Sequence, residues 1–392
     1  MLKDELTANK IKYSYFVMNM GFAVWRIYYN VFLEKNGLSG TQIGILNAIL
    51  QASLVFVLIY WGIKADKIGI RPVLGQLILI SSILLILLTK ITNFYILLFY
   101  IPILSFFHHP LAPLLDALST NYLTNNNNNN QVNYGSLRAY GSLGWGIASI
   151  WAGILFAKIP IYYIFIISSL LYLTVFPVFI VPKKRKKIYR TGTEKVELKA
   201  IIQNKWILIF SFILILYGIS SSPISSFLNL YFVELNANNN FIGYAYAVQA
   251  LSEVPFFFIG NKIFKKFGIS NTLIISISIM FIRLFFYSIT NNVYIGICLG
   301  ILQGITLSFF LIPVIEFINK LLPDGYHATA QTIIWGCYFG IGNTFGNLLT
   351  GIIKDVKGLH TVMFYASILT FFVLMFTILY FYRHKKSFKN NN

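Results

Sequence analysis

Charge is what this 392-residue chain has least of: Asp, Glu, Lys and Arg together make up 11%, and only 12 of the charged residues are acidic against 31 basic ones. Soluble domains carry charge at about 25%, so an independently soluble fold is excluded. Cysteine is reduced to Cys298 and Cys337, both inside apolar runs, so no disulfide or thiolate framework is implied and each thiol reads as a small buried hydrophobe. No phosphate loop is present, which excludes ATP-driven transport by this chain itself. A metal-ligand cluster, a Ser-His-acid set and the H-x-x-x-x-D spacing of acyltransferases are missing as well, so neither an enzyme, a metal site nor a cofactor is expected. The start lacks a charged segment followed by a short apolar stretch and a cleavage site, and the first span is expected to be an uncleaved helix.

What fills the chain is apolar: 57% hydrophobic and 17% aromatic residues, with a mean hydropathy of +0.70. Apolar runs of about 20 residues, the length that crosses a bilayer as a helix, recur at near-regular spacing. They predict an all-α integral membrane protein with twelve spans, near 13–33, 41–63, 72–90, 94–118, 136–157, 160–181, 206–232, 240–260, 271–289, 293–318, 327–352 and 359–382.

The net charge of +19 can suggest a nucleic-acid partner, but its distribution argues for a lipid bilayer instead. With both termini cytosolic, 23 basic residues fall inside and 5 outside (Lys35, Lys90, Lys158, Lys354 and Lys357). The positive-inside rule then gives the orientation, and no nucleic acid is expected. The polar segment from Pro182 to Lys205 divides the spans six and six, giving a first half over 1–181, a basic cytosolic linker over 182–205 and a second half over 206–392. Six-plus-six repeats around a linker are the layout of a secondary transporter. The asparagine runs at 125–130, 238–240 and 390–392 read as neutral filler in loops and at the tail.

Six charges lie inside the predicted spans: Arg26, Asp116, Arg138, Glu253, Arg283 and Glu316. Each costs about 2.5–3.5 kcal/mol on insertion scales, and their balanced sign points to a polar pathway within a bundle. Arg26 has two readings, a ligand for an anionic or hydroxylated solute or a standing counter-ion for Asp116 or Glu253. For Arg138 the alternative is a side chain snorkelling to the cytosolic surface, for Trp145 a lipid-facing or packing tryptophan, and for Glu316 a solvated helix end.

Two motifs are more specific. Between the second and third spans, GIKADKIGIRP places Gly62, Asp66, Lys67, Gly69 and Arg71 at G-x-x-x-D-K-x-G-x-R offsets. The glycines suit close approach and a tight turn, while Asp66 can cap or pair. A weaker counterpart without the acid, GNKIFKKFG, ends at Gly268; a further G-x-x-x-D-x-x-G from Gly351 to Gly358 falls on the outer side and is set apart. The fifth span, YGSLRAYGSLGWGIASIWAGILF, puts Arg138 and Trp145 two helical turns apart on one face.

These motifs resemble those of the major facilitator superfamily over essentially the whole chain. The fifth span is similar to that of the oligosaccharide:proton symporter branch, the lactose permease type, with phenylpropionate and nucleoside permeases nearby. The resemblance implies two six-helix halves around a central cavity and proton-coupled uptake of a small-molecule substrate, a sugar or oligosaccharide first, with an aromatic acid or nucleoside second. It casts Arg138 as a donor to solute hydroxyls, Trp145 as a stacking platform and Asp116 as the partner of Arg138. Glu253, Arg283 and Glu316 become the proton-coupling acid, arginine and acid. The segment from Gly62 to Arg71 becomes the gating loop, the protein works as a monomer, and the location is the cell membrane. Ser136 departs from the basic residue common at its place, and the lactose-type histidine of the tenth helix has no counterpart. A proton-antiport exporter is the remaining alternative, disfavoured because Ala148 to Phe156 lacks the Gly-Pro motif of that group.

Overall fold

Helix dominates because the apolar runs offer no other way to satisfy their backbone in lipid. The computed structural model describes residues 6–125, 134–180, 205–321 and 334–390. Of the linker over 182–205 all but Lys205, and of the asparagine run at 125–130 all but Asn125, lie outside the described residues. Among the described residues there are twelve helical segments: α1 (Ala8–Lys35), α2 (Gly40–Ile68), α3 (Ile70–Leu88), α4 (94–125, broken near Pro110), α5 (Tyr134–Phe156), α6 (Tyr163–Phe179), α7 (Lys205–Glu234), α8 (239–267), α9 (269–289), α10 (293–321), α11 (335–357) and α12 (359–390).

Local chemistry sets the ends, and it repeats. Asn93 opens α4 by accepting from the Tyr95 and Ile96 amides, and Asn292 opens α10 by accepting from Tyr294 and Ile295, the same N-x-Y-I cap in each half. The corners after α2, α8 and α11 are made at Gly69, Gly268 and Gly358, with φ of +90°, +77° and +77°. A residue with a side chain is strained at such φ. The G-x-x-x-D-x-x-G of Gly351 to Gly358, set apart in the sequence by its expected side, therefore makes the same backbone corner as the other two. Helix α11 begins as a π-helical stretch over Trp335–Gly342, where three glycines of WGCYFGIG leave the backbone free to widen.

The chain forms two compact units. The first comprises Met1–Leu38, Ser53–Thr191 and Ala237–Leu251. Its helices meet backbone to backbone at small residues: a Cβ on Gly144 would lie 2.1 Å from the Phe16 carbonyl, and Ser168 donates to the Gly21 carbonyl at 2.7 Å. The second comprises Ser39–Ala52, Gly192–Asn236 and Ser252–Asn392. There a Cβ on Gly218 would lie 2.4 Å from the Tyr338 carbonyl and one on Gly342 2.7 Å from the Ile215 carbonyl, so α7 and α11 pack closely at their glycines. Cys298, expected to be buried, is exposed on its helix.

Candidate functional site

Each unit holds a polar constellation, and the two are built differently. In the first unit, Arg138 of α5 lies 3.6 Å from Asp116 of α4, so two of the sequence-predicted residues meet as an ion pair. Both remain open to solvent, 57% exposed for Arg138 and 33% for Asp116, which leaves the pair accessible to a solute. The other carboxylate oxygen of Asp116 accepts from the buried Tyr15 hydroxyl at 2.7 Å, and that hydroxyl also shares a hydrogen bond with Ser119 at 2.9 Å. Tyr15 thus ties α1 to α4 and orients the acid. As one of 25 tyrosines it carried no sequence signal.

Trp145 lies farther along the same face of α5. Its ring meets the edge of Phe22 at 5.4 Å between centroids, and Phe22 in turn touches Trp25 and His108. His108 is held by the Tyr172 hydroxyl at 2.9 Å, which accounts for it as a satisfied polar residue beside Pro110. Arg26 is partly buried, within electrostatic reach of Tyr29, His109 and Tyr246.

In the second unit, Arg283 of α9 is completely buried. Its Nη1 donates to the Gln303 side-chain oxygen, and the Gln303 amide nitrogen donates to Glu253 at 3.4 Å. A hydrogen-bonded path from Arg283 to Glu253 therefore runs through an amide contributed by α10. Nε and Nη2 of Arg283 have no hydrogen-bond partner, and the guanidinium lies 5.7 Å from the centre of the Tyr287 ring. A buried cation with unused donors is a costly arrangement, one that a moving acid or a solute oxygen can relieve. Gln303 was legible only as a lone amide in an apolar run, overshadowed by the charges around it. Glu316 is partly buried farther along α10.

At the loop between α2 and α3, Gly69 makes its corner and Arg71 donates to the Val178 carbonyl at 2.6 Å, fastening the start of α3 to the end of α6. Asp66 and Lys67 are exposed. A Cβ on Gly62 would meet nothing within 4 Å, so the close approach expected there is not made in this conformation.

Residues 8–366 match the MFS_1 like family. YwbF of Bacillus subtilis (strain 168), described as an uncharacterized transporter, is 26% identical over 321 residues, covering 80% of this chain and 77% of that protein. The sucrose permease of Escherichia coli is 24% identical over 394 residues, covering 93% and 91%. Among solved structures, that of the nucleoside transporter NupG superposes with a TM-score of 0.84 at 19% identity, over 95% of this chain and 98% of the other.

Proposed function

We propose that this chain, which belongs to the MFS_1 like family, imports a small polar organic solute together with protons by alternating access, with a sugar or oligosaccharide as the favoured cargo. It is a multi-pass membrane protein and a secondary transporter for small solutes. The finer reading is supported chiefly by one observation, the chain of hydrogen bonds from Arg283 through Gln303 to Glu253.

A carboxyl in apolar surroundings prefers to be neutral, and a nearby guanidinium favours its ionised form. Gln303 lets the two states communicate: ionised Glu253 draws the amide nitrogen, which turns the amide oxygen toward Arg283. Protonation of Glu253 weakens that pull, so the position of Arg283 follows the proton. Glu316, on the same helix as Gln303, is the second acid in this scheme. In the first unit, Arg138 and Asp116 hold each other when no solute is present, and vicinal hydroxyls can take over both partners. Trp145 offers a ring face beside them, with Arg26 a further donor.

The segment of Gly62, Asp66, Lys67, Gly69 and Arg71 acts as the cytosolic gating loop. The excess of 23 basic residues on one side against 5 on the other supports cytosolic termini in the cell membrane. The protein needs no enzyme activity and functions as a monomer. A second reading, a nucleoside or aromatic acid as cargo, is favoured by the Phe22–Trp145 pair, whose faces stack a flat ring as readily as a sugar. Uptake of labelled sugars, nucleosides and aromatic acids into vesicles, with and without a pH gradient, tests both. Accumulation of a sugar that collapses with the gradient is the expected result; accumulation indifferent to pH would defeat proton coupling.

A further inference from the structure

Helix α2 starts at Gly40 with its own cap already in place. Ser39 Oγ accepts from the Gln42 amide at 3.2 Å and the Gln42 side chain accepts from the Ser39 amide at 3.0 Å, a reciprocal capping box. Two first-turn amides are left over, those of Gly40 and Thr41. Both donate to one carboxylate 315 and 314 residues away in sequence: Asp355 at the end of α11, at 2.6 and 2.7 Å. The Thr41 hydroxyl adds a third bond at 2.6 Å. The helix is thus complete without Asp355, and the carboxylate takes only the donors that water would otherwise fill.

The surrounding packing is backbone to backbone. A Cβ on Gly40 would lie 2.6 Å from the Asp355 carboxylate and 2.9 Å from the Gly351 carbonyl, and one on Gly44 would lie 2.6 Å from the Asn347 carbonyl. One turn further in, Thr344 donates to the Ala48 carbonyl at 3.4 Å. At the same corner Glu234 of α7 accepts from the Leu359 amide at 2.9 Å, so the start of α12 is also held by a carboxylate from another helix.

We infer that Asp355 is a releasable latch: its carboxylate holds the start of α2 against the end of α11 in the conformation seen here, and the transport cycle must break this contact for the outer end to open. Three donors and the positive end of a helix dipole converge on one acid. That acid is solvent-exposed, so the bond is screened and can be exchanged for water during a cycle. Placing the latch on the outer side rests on the orientation proposed above; the latch itself does not.

The test uses full-length protein with Cys298→Ser and Cys337→Ser and a reporter cysteine, Ala48→Cys, at a site 4% exposed beneath the crossing. Its rate of modification by a membrane-impermeant maleimide is measured in vesicles of both orientations. Asp355→Ala should raise the rate by about fivefold or more. Asp355→Asn, with one acceptor oxygen for three donors, should fall between the two, and Thr41→Val should give a smaller rise. Val356→Ala, next door and 75% exposed, should change nothing. A rise from either face supports the latch, and the face on which it occurs tests the orientation separately. Unchanged rates in Asp355→Ala and Thr41→Val would overturn it; should Asp355→Ala fail to elute as a monodisperse species, Asp355→Asn and Thr41→Val decide by the same criterion.

Discussion

Arg283 and Gln303 are joined by a hydrogen bond from guanidinium to amide oxygen, and the far side of the same amide serves Glu253. Removing the amide leaves a buried guanidinium with one more unsatisfied donor. Gln303→Leu should lower unfolding stability by about 1–3 kcal/mol and abolish uphill uptake. Gln303→His, which can still accept on one ring nitrogen and donate from the other, should recover much of both. Thermal unfolding in detergent, read beside gradient-driven uptake, checks the pair; a fully active Gln303→Leu would remove the amide from the coupling path.

Glu253→Gln mimics the protonated carboxyl permanently. It should exchange solute across the membrane at equal concentrations while failing to accumulate it against a gradient, because deprotonation gives the cycle its direction. A merely structural role predicts joint loss of stability, exchange and accumulation. Both assays on the same quantified, folded protein separate these outcomes, and retained accumulation would shift the proton site to Glu316, then Asp116.

Arg138→Ala should abolish solute binding, since it removes a bidentate donor and leaves Asp116 without its ion-pair partner at 3.6 Å. Tyr15→Phe should be milder, loosening the acid without removing the pair. Equilibrium binding of the transported solute measures both, and a near wild-type Arg138→Ala would end the assignment of this pair to the solute.

Trp145→Tyr should keep solute affinity and Trp145→Ala should lose it, because stacking needs a ring face. A packing role against Phe22 predicts instead that affinity is unchanged while stability drops in Trp145→Ala. The ratio of the two affinities decides.

Burial alone would raise the Asp355 carboxyl, but hydrogen bonds from Thr41, Gly40 and Ser39 outweigh it and hold the group below its ordinary value. A depressed carboxylate stabilises the latched state at every pH above its unlatched value, near 3.9, and that contribution is lost as pH falls through the lower latched value. Lys354 also lies against Gly40 at this corner. The distance between spin labels at Ile45→Cys and Val356→Cys should therefore stay constant from about pH 8 to 5 and lengthen only below about pH 4. Lengthening near neutral pH would mean that another group controls the contact.

Composition and spacing alone determined that this is a helical membrane protein, where its spans fall and which six charges sit in lipid-length helices. Those properties follow from hydrophobic runs and charge cost, which are local and read off the chain directly. The pairing of Asp116 with Arg138 was legible as well, because opposite charges inside membrane helices have few other partners. The tertiary structure alone decided that Gln303 stands between Arg283 and Glu253, that Tyr15 orients Asp116 and that Asp355 accepts from the first-turn amides of α2. Neutral amides, phenols and exposed acids are common enough along a chain to carry no signal. Their roles come from helices far apart in sequence meeting within hydrogen-bond distance, a proximity set by glycine-backed packing that no local pattern encodes.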